Sequence, residues 1–169
     1  GVGAAAYATE LGLERLIAFD MGGTTAKCTL IEDGDFSVQS TYYVGGYEYG
    51  LPIRSPILDI VEVGTGGGSI AHLARDGALK VGPRSAGSDP GPVCFSRGGT
   101  EPTVTDANIV LDRISDANFL NGKLMLDRGL AVSFLMEKVG RPLGFQDEEA
   151  DTVASGIVTL SNSQMADAI

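Results

Sequence analysis

The stretch IAFDMGGTTAKCTLI, residues 17–31, constrains the fold more than any other part of the chain. Two apolar runs, each the length of a strand, flank a turn that carries a carboxylate, two glycines and two hydroxyls. A tight β-hairpin needs only about two turn residues, commonly Asn-Gly or Asp-Gly. Here Asp20 closes the first run, and Gly22, Gly23, Thr24 and Thr25 follow before the second begins. That composition is the composition of a binding turn.

Glycine is unusual throughout. The 169 residues include 24 glycines, gathered in clusters rather than at a period. Clusters indicate loops that need positive φ or close backbone approach, not a collagen repeat or a flexible linker. The length fits one domain or a large piece of one. With 43% hydrophobic and 20% charged residues, the chain can bury a core. Its net charge is −10, and its most basic segment, 75–84, holds only Arg75, Lys80 and Arg84. Nucleic acid is therefore excluded as the main partner.

Cys28 and Cys94 share no CxxC spacing, so neither zinc nor a disulfide framework is expected, and a reduced, cytoplasmic setting fits. No apolar run approaches the ~18 residues of a membrane span. The opening GVGAAAYATELGL has no initiator Met and no basic leader. It reads as the middle of a helix, and a piece of a longer chain is expected.

Along the chain, residues 4–13 read as a helix ending at Gly12, and 16–19, 26–31 and 36–44 as strands, with EDGD as a turn. GGYEYGLPIRSP reads as an irregular excursion, and 57–63 as a further strand. SIAHLA and ALKVG around Arg75, Asp76 and Gly77 form a second hairpin. Residues 82–106 lack periodicity, and so long a loop in a compact domain points to function. Thr105 or Asp106 can cap a helix through Arg113; 127–139 and 146–169 are helical. The expected division is strand-rich 15–104 and helical 105–169, within one α/β unit.

A carboxylate that ends a buried strand needs a partner, and hydrated Mg²⁺ is a suitable one for Asp20. The amides from Gly22 to Thr25 can approach a phosphate, and the two Thr hydroxyls can donate to it. The competing reading is a glycine turn whose Asp20 accepts hydrogen bonds from the turn itself. Residues 64–69, GTGGGS, are no Walker loop. They are no dinucleotide fingerprint either, because a hairpin follows where a helix is required. Gly66, Gly67, Gly68 and Ser69 read instead as a loop lying close to a ligand or to other backbone. His72 reads as structural and Cys94 as packing. Tyr42, Tyr43, Tyr47 and Tyr49 line a pocket or an interface, or are half-buried strand aromatics. Asp59 and Asp106 are the candidate catalytic carboxylates, weighed against a strand residue and a helix N-cap.

Four blocks now stand in order: FDMGGTTAK, VGTGGGSIA, VGPRSAGSDPGPVC and GGTEPTVTDANIVL. Together they resemble the hydantoinase A/oxoprolinase family of ATP-dependent hydantoinases, 5-oxoprolinases and ketone carboxylase subunits. The resemblance implies a ribonuclease H-like segment of the actin/hexokinase/Hsp70 ATPase superfold, with glycine-rich turns between strands and helices after them. It implies ATP and Mg²⁺ as cofactors. Asp20, Gly22, Gly23, Thr24 and Thr25 would hold phosphate, Asp20 would contact the metal through water, and Gly66, Gly67, Gly68 and Ser69 would assist. The implied chemistry phosphorylates an amide or enolate oxygen before ring opening or carboxylation, with a hydantoinase B-like partner subunit. A second phosphate turn and an adenosine-contacting segment of the family are missing here, so the chain is expected to be a central fragment, inactive alone. The alternatives are a subunit-interaction scaffold and a small-molecule kinase of the same superfold.

Overall fold

The computed structural model describes residues 1–45 and 48–167, an α/β chain that divides into two compact units. The first comprises residues 1–20 and 27–62 and the second 21–26 and 63–168.

In the first unit, the alanine-rich α1 (Val2–Leu11) closes at Gly12, whose left-handed φ of 65° lets the Leu13 amide donate back to the Ala8 carbonyl at 2.9 Å. Its small Ala5 and Ala8 let the helix settle against Ile31, with Leu16, Ala18 and Phe36 around them. The sheet beneath consists of β1 (Arg15–Met21), β2 (Ala26–Glu32) and β3 (Asp35–Phe36). β2 and β3 form an antiparallel hairpin with Glu32 opposite Asp35, across an Asp33-Gly34 turn with both φ positive. This is the primed turn that Asp-Gly favours.

The strand expected over 36–44 is broken. β4 (Val38–Gln39) pairs with β7 (Ile57–Leu58), whereas β5 (Tyr42–Val44) pairs with β6 (Leu51–Ile53). One segment serves two ladders and must change direction between them. The excursion expected at 45–56 thus contains a strand; Gly46 and Tyr47 within it lie outside the described residues. The strand expected over 57–63 likewise divides at Asp59 into β7 and β8 (Val61–Val63), and β8 joins β2 in the sheet.

In the second unit, β9 (Ser69–Leu73) and β10 (Leu79–Ser85) form the hairpin expected around Asp76-Gly77, with Leu73 opposite Leu79 and a bulge between Val81 and Ser85. The following loop is ordered and contains a 3₁₀ turn at Val93–Phe95. α2 (Val104–Val110) is capped by Thr103, not by Thr105 or Asp106, and stops short of Arg113. α3 (Arg128–Leu135) runs on through a π turn, Met136–Gly140, and α4 (Ala150–Ala166) ends the described chain. Val81, Cys94, Val104, Leu135, Val139 and Ile157 are central to the apolar core that these elements share. Among the described residues, no helix is long and apolar enough to cross a membrane.

Candidate functional site

The turn after β1 is shaped by one internal bond, from the Gly22 amide to the Thr25 carbonyl at 2.9 Å. Gly22, Gly23 and Thr24 are exposed and Thr25 is half-buried. Among the described residues, nothing accepts a hydrogen bond from the amides of Gly23 and Thr24. Unpaired donors at an exposed turn with no Cβ on two of its residues are what a bound anion requires.

The second glycine cluster lies directly behind this turn. The Gly67 amide donates to the Gly22 carbonyl at 3.0 Å, and the Gly68 amide to the Gly23 carbonyl at 2.6 Å. The Gly66 amide donates to Ser69 Oγ at 2.9 Å, and the Ser69 amide returns to the Gly66 carbonyl at 3.0 Å. A Cβ on Gly66 would stand 2.7 Å from the Gly22 carbonyl oxygen and 2.8 Å from the carbonyl carbons of Gly23 and Thr24. The two backbones touch because no side chain intervenes. All four amides of Gly66, Gly67, Gly68 and Ser69 are therefore engaged within the protein, and none is available to a phosphate. Of the two expectations for this loop, nearness to ligand or to backbone, the geometry fits the second.

That support is itself anchored. Thr105, in the first turn of α2, donates from both its amide and its hydroxyl to the Gly67 carbonyl, each at 2.8 Å. The Ala86 amide donates to the Gly68 carbonyl at 2.8 Å. On the far side, the Thr65 hydroxyl donates to Gln164 Oε1 at 2.7 Å, and Gln164 Nε2 to the Val81 carbonyl at 3.2 Å. The sequence pointed to Thr105 only as a helix cap, and gave no sign of Ser85 or Gln164. Only the Thr-x-x-Asp pattern at Thr103–Asp106 carried a local signal, that of a capping box.

Asp106 departs from the catalytic expectation. It is 0% exposed. Its carboxylate accepts from the amides of Val93 (3.2 Å), Cys94 (2.8 Å) and Thr103 (2.8 Å) and from the Thr103 hydroxyl (2.8 Å). It occupies the third helical position, with Thr103 as N-cap, and ties the long loop to α2. A closed carboxylate that already accepts four hydrogen bonds has no opening towards a substrate. Beside it, burial foremost and then the Asp106 charge push the Cys94 thiol far up, so it stays protonated and inert.

Asp59 lies in the first unit, half-buried, with Oδ1 accepting from Gln39 Nε2 at 2.7 Å. Its backbone carbonyl accepts from the Thr29 hydroxyl at 2.8 Å and its amide donates to the Ser37 carbonyl at 2.8 Å. These bonds hold the bend between β7 and β8. Asp20 stands exposed at the end of β1, beside a hollow of about 330 Å³ lined by Phe19, Lys27, Cys28, Thr29 and Ile60. The strand is half-buried at alternate residues and Asp20 is not among them, so the burial argument for a compensating partner does not hold here. Among the described residues, no three His, Cys, Asp or Glu groups converge as metal ligands. His72 is half-buried opposite Lys80, and its Nδ1 lies 3.4 Å from the Ile70 carbonyl. Tyr42 and Tyr49 are exposed and Tyr43 half-buried; Tyr47 lies outside the described residues.

A family model described as hydantoinase/oxoprolinase matches residues 1–169. The alpha subunit of the caprolactamase of Pseudomonas jessenii is 43% identical over 164 residues, 96% of this chain and 22% of the relative. The crystal structure of that ATP-dependent caprolactamase superposes with a TM-score of 0.82 at 39% identity, over 99% of this chain and 23% of the other. The gamma subunit of the acetophenone carboxylase of Aromatoleum aromaticum is 39% identical over 169 residues, 99% of this chain and 22% of the relative. A nucleotide-free structure of acetone carboxylase, from work on ATP-dependent acetone carboxylation, superposes with a TM-score of 0.85 at 29% identity, over 98% of this chain and 22% of the other. The chain thus spans less than a quarter of the length of each of these relatives.

Proposed function

The chain belongs to the hydantoinase/oxoprolinase family, and on that footing we propose that it is the phosphate-holding part of an ATP-dependent enzyme that activates a carbonyl compound by phosphorylation. The observation that carries this reading is the turn at 22–25: among the described residues the amides of Gly23 and Thr24 have no acceptor, and a second glycine loop is hydrogen-bonded and closely packed against the turn. Preorganised donors of this kind are worth about 10²–10³ in rate apiece when aimed at developing charge. The reading assigns the fold to the ribonuclease H-like, actin/hexokinase/Hsp70 type of ATPase.

The residues take distinct parts. Gly23 and Thr24 donate backbone N–H groups to phosphate oxygens, and the Thr24 and Thr25 hydroxyls add to them. Gly66, Gly67, Gly68 and Ser69 are moved from direct phosphate contact to support. Asp20 is exposed at the strand end, as a carboxylate that meets hydrated Mg²⁺ through water must be; Mg²⁺ is commonly held by one or two carboxylates plus substrate phosphates, not by a protein cage. Asp59, half-buried where Asp106 is closed, remains a candidate catalytic carboxylate, and Asp106 is left with the loop. When bound, ATP would supply the phosphoryl group to an amide or enolate oxygen, with ADP leaving on the electron pair of the broken P–O bond. Positioning and charge neutralisation dominate such transfers. Ring opening or carboxylation then follows.

The named relatives are subunits, which supports a partner subunit, of hydantoinase B-like kind, for the parent protein. The piece described here should not turn over ATP alone, and a cytoplasmic setting fits its paucity of cysteine. The test is calorimetric titration of the parent-length protein and its Asp20→Ala variant with ADP and Mg²⁺. Mg²⁺-dependent binding that the variant loses is expected. Equal binding by both, or by neither, would return the turn to a structural part and favour a subunit scaffold.

A further inference from the structure

The Gly23 and Thr24 amides, which have no acceptor among the described residues, each end a chain of hydrogen-bonded peptide units. In a trans peptide the C=O of one residue and the N–H of the next lie on opposite edges of one conjugated plane. A donor at the carbonyl therefore polarises the N–H across from it. The Gly23–Thr24 unit accepts at the Gly23 carbonyl from the Gly68 amide at 2.6 Å, and its other edge is the Thr24 N–H. The Gly67–Gly68 unit behind it accepts at the Gly67 carbonyl from both the amide and the hydroxyl of Thr105, each at 2.8 Å.

A second chain ends on Gly23. The Gly22 carbonyl accepts from the Gly67 amide at 3.0 Å, the Gly66 carbonyl from the Ser69 amide at 3.0 Å, and the Gly68 carbonyl from the Ala86 amide at 2.8 Å. The two chains share no peptide unit, and both lie within the second compact unit. Thr105 feeds only the one that ends on Thr24.

Thr105 is half-buried at the second position of α2, where an amide has no acceptor inside its own helix. Bonding to Gly67 satisfies that amide; the hydroxyl then adds a second donor to the same oxygen. Glycine at position 67 leaves room for it, since a Cβ there would stand 2.9 Å from the Thr105 hydroxyl. The capping box of Thr103 and Asp106 fixes the helix turn on either side. Hydrogen bonds in series strengthen one another by about 10–30% per bond. The bond from Gly68 to Gly23 is also shorter than the common length of about 2.9 Å.

We propose that Thr105 is a positioning residue for the phosphate turn, orienting and polarising the Thr24 N–H through the two intervening peptide units. What Thr24 then binds rests on the phosphate reading; the relay itself does not.

The test uses nucleotide-free parent-length protein with ¹⁵N-labelled glycine and threonine. In Thr105→Ala the amide proton signals of Gly68 and Thr24 should move upfield, Thr24 by more than Gly23, which ends the other chain. Thr105→Ser keeps the hydroxyl and should bring the Thr24 signal back. In calorimetric titration with Mg·ADP, Thr105→Ala should bind about threefold more weakly, as expected when one bond in the series is lost, and Thr105→Ser should restore the affinity. A Thr24 signal that moves no further than that of Gly23 overturns the proposal, as does wild-type affinity in Thr105→Ala or failure of Thr105→Ser to restore either readout. If wild type itself binds no Mg·ADP, the phosphate reading falls and the relay is still judged by the amide signals.

Discussion

Gly66→Ala isolates the contact between the two glycine segments. The added methyl would sit 2.7 Å from the Gly22 carbonyl oxygen and 2.8 Å from two further backbone carbons, where ordinary contact begins at 3.4 Å. Relief requires the turn and the loop to separate by about 0.7 Å, since no flexible side chain is there to yield. Such a shift strains the Gly67-to-Gly22 and Gly68-to-Gly23 hydrogen bonds, each worth about 1 kcal/mol net, and adds an overpacking penalty of about 1–3 kcal/mol. It also displaces the Gly23 and Thr24 amides from a bound phosphate. Hydrogen bonds to charged groups contribute about 1.5–3 kcal/mol, so partial loss of two should weaken Mg·ADP binding by tenfold or more, at about 1.4 kcal/mol per tenfold. Calorimetric titration of the parent-length variant measures this. Gly156→Ala is the control, because a Cβ there meets nothing within 4 Å in α4 and should stabilise the helix slightly. Wild-type ADP affinity in Gly66→Ala would refute the argument that the loop holds the turn in place.

Asp106→Ala leaves three amides and a hydroxyl unpaired in a buried site, and should destabilise by about 3–5 kcal/mol in urea unfolding. Thr103→Ala, which removes only the N-cap and one of those donors, should cost about 1–2 kcal/mol. Cys94 should resist thiol reagents in the native protein at pH 8 and react only on unfolding. Its folded pKa lies above the unfolded value of about 8.5, so its contribution to stability is complete below that pH and erodes as pH rises beyond it; urea midpoints compared across pH 7–10 would register the decline. Gln164→Ala severs the link from α4 to Thr65 and Val81, with an expected loss of about 1–2 kcal/mol. An unchanged urea midpoint would show the link to be idle.

Local chemistry alone decided a good deal. Residues 17–31 announced strand, turn and strand; Gly12 announced a helix end; Asp76-Gly77 announced the β9–β10 hairpin, and with it the exclusion of a dinucleotide fold. Each of these depends on φ preferences or periodicity within a few residues. The four blocks also announced the family, because several rare local patterns in one order identify a lineage even where their contacts are unknown. What local pattern could not decide was any bond between distant segments. That Gly66 and Gly67 support Gly22, more than forty positions earlier, depends on two backbones meeting where neither sequence specifies the other. Asp106 was legible as part of a helix start, but its hold on Val93 and Cys94 arises only when the loop folds back onto α2. The strands at 36–44 and 57–63 read as continuous because their residues favour extended backbone; competing partners broke them. Burial failed for the same reason: β1 has strand chemistry, yet whether Asp20 meets water depends on what covers the sheet, and that is a property of the packed structure alone.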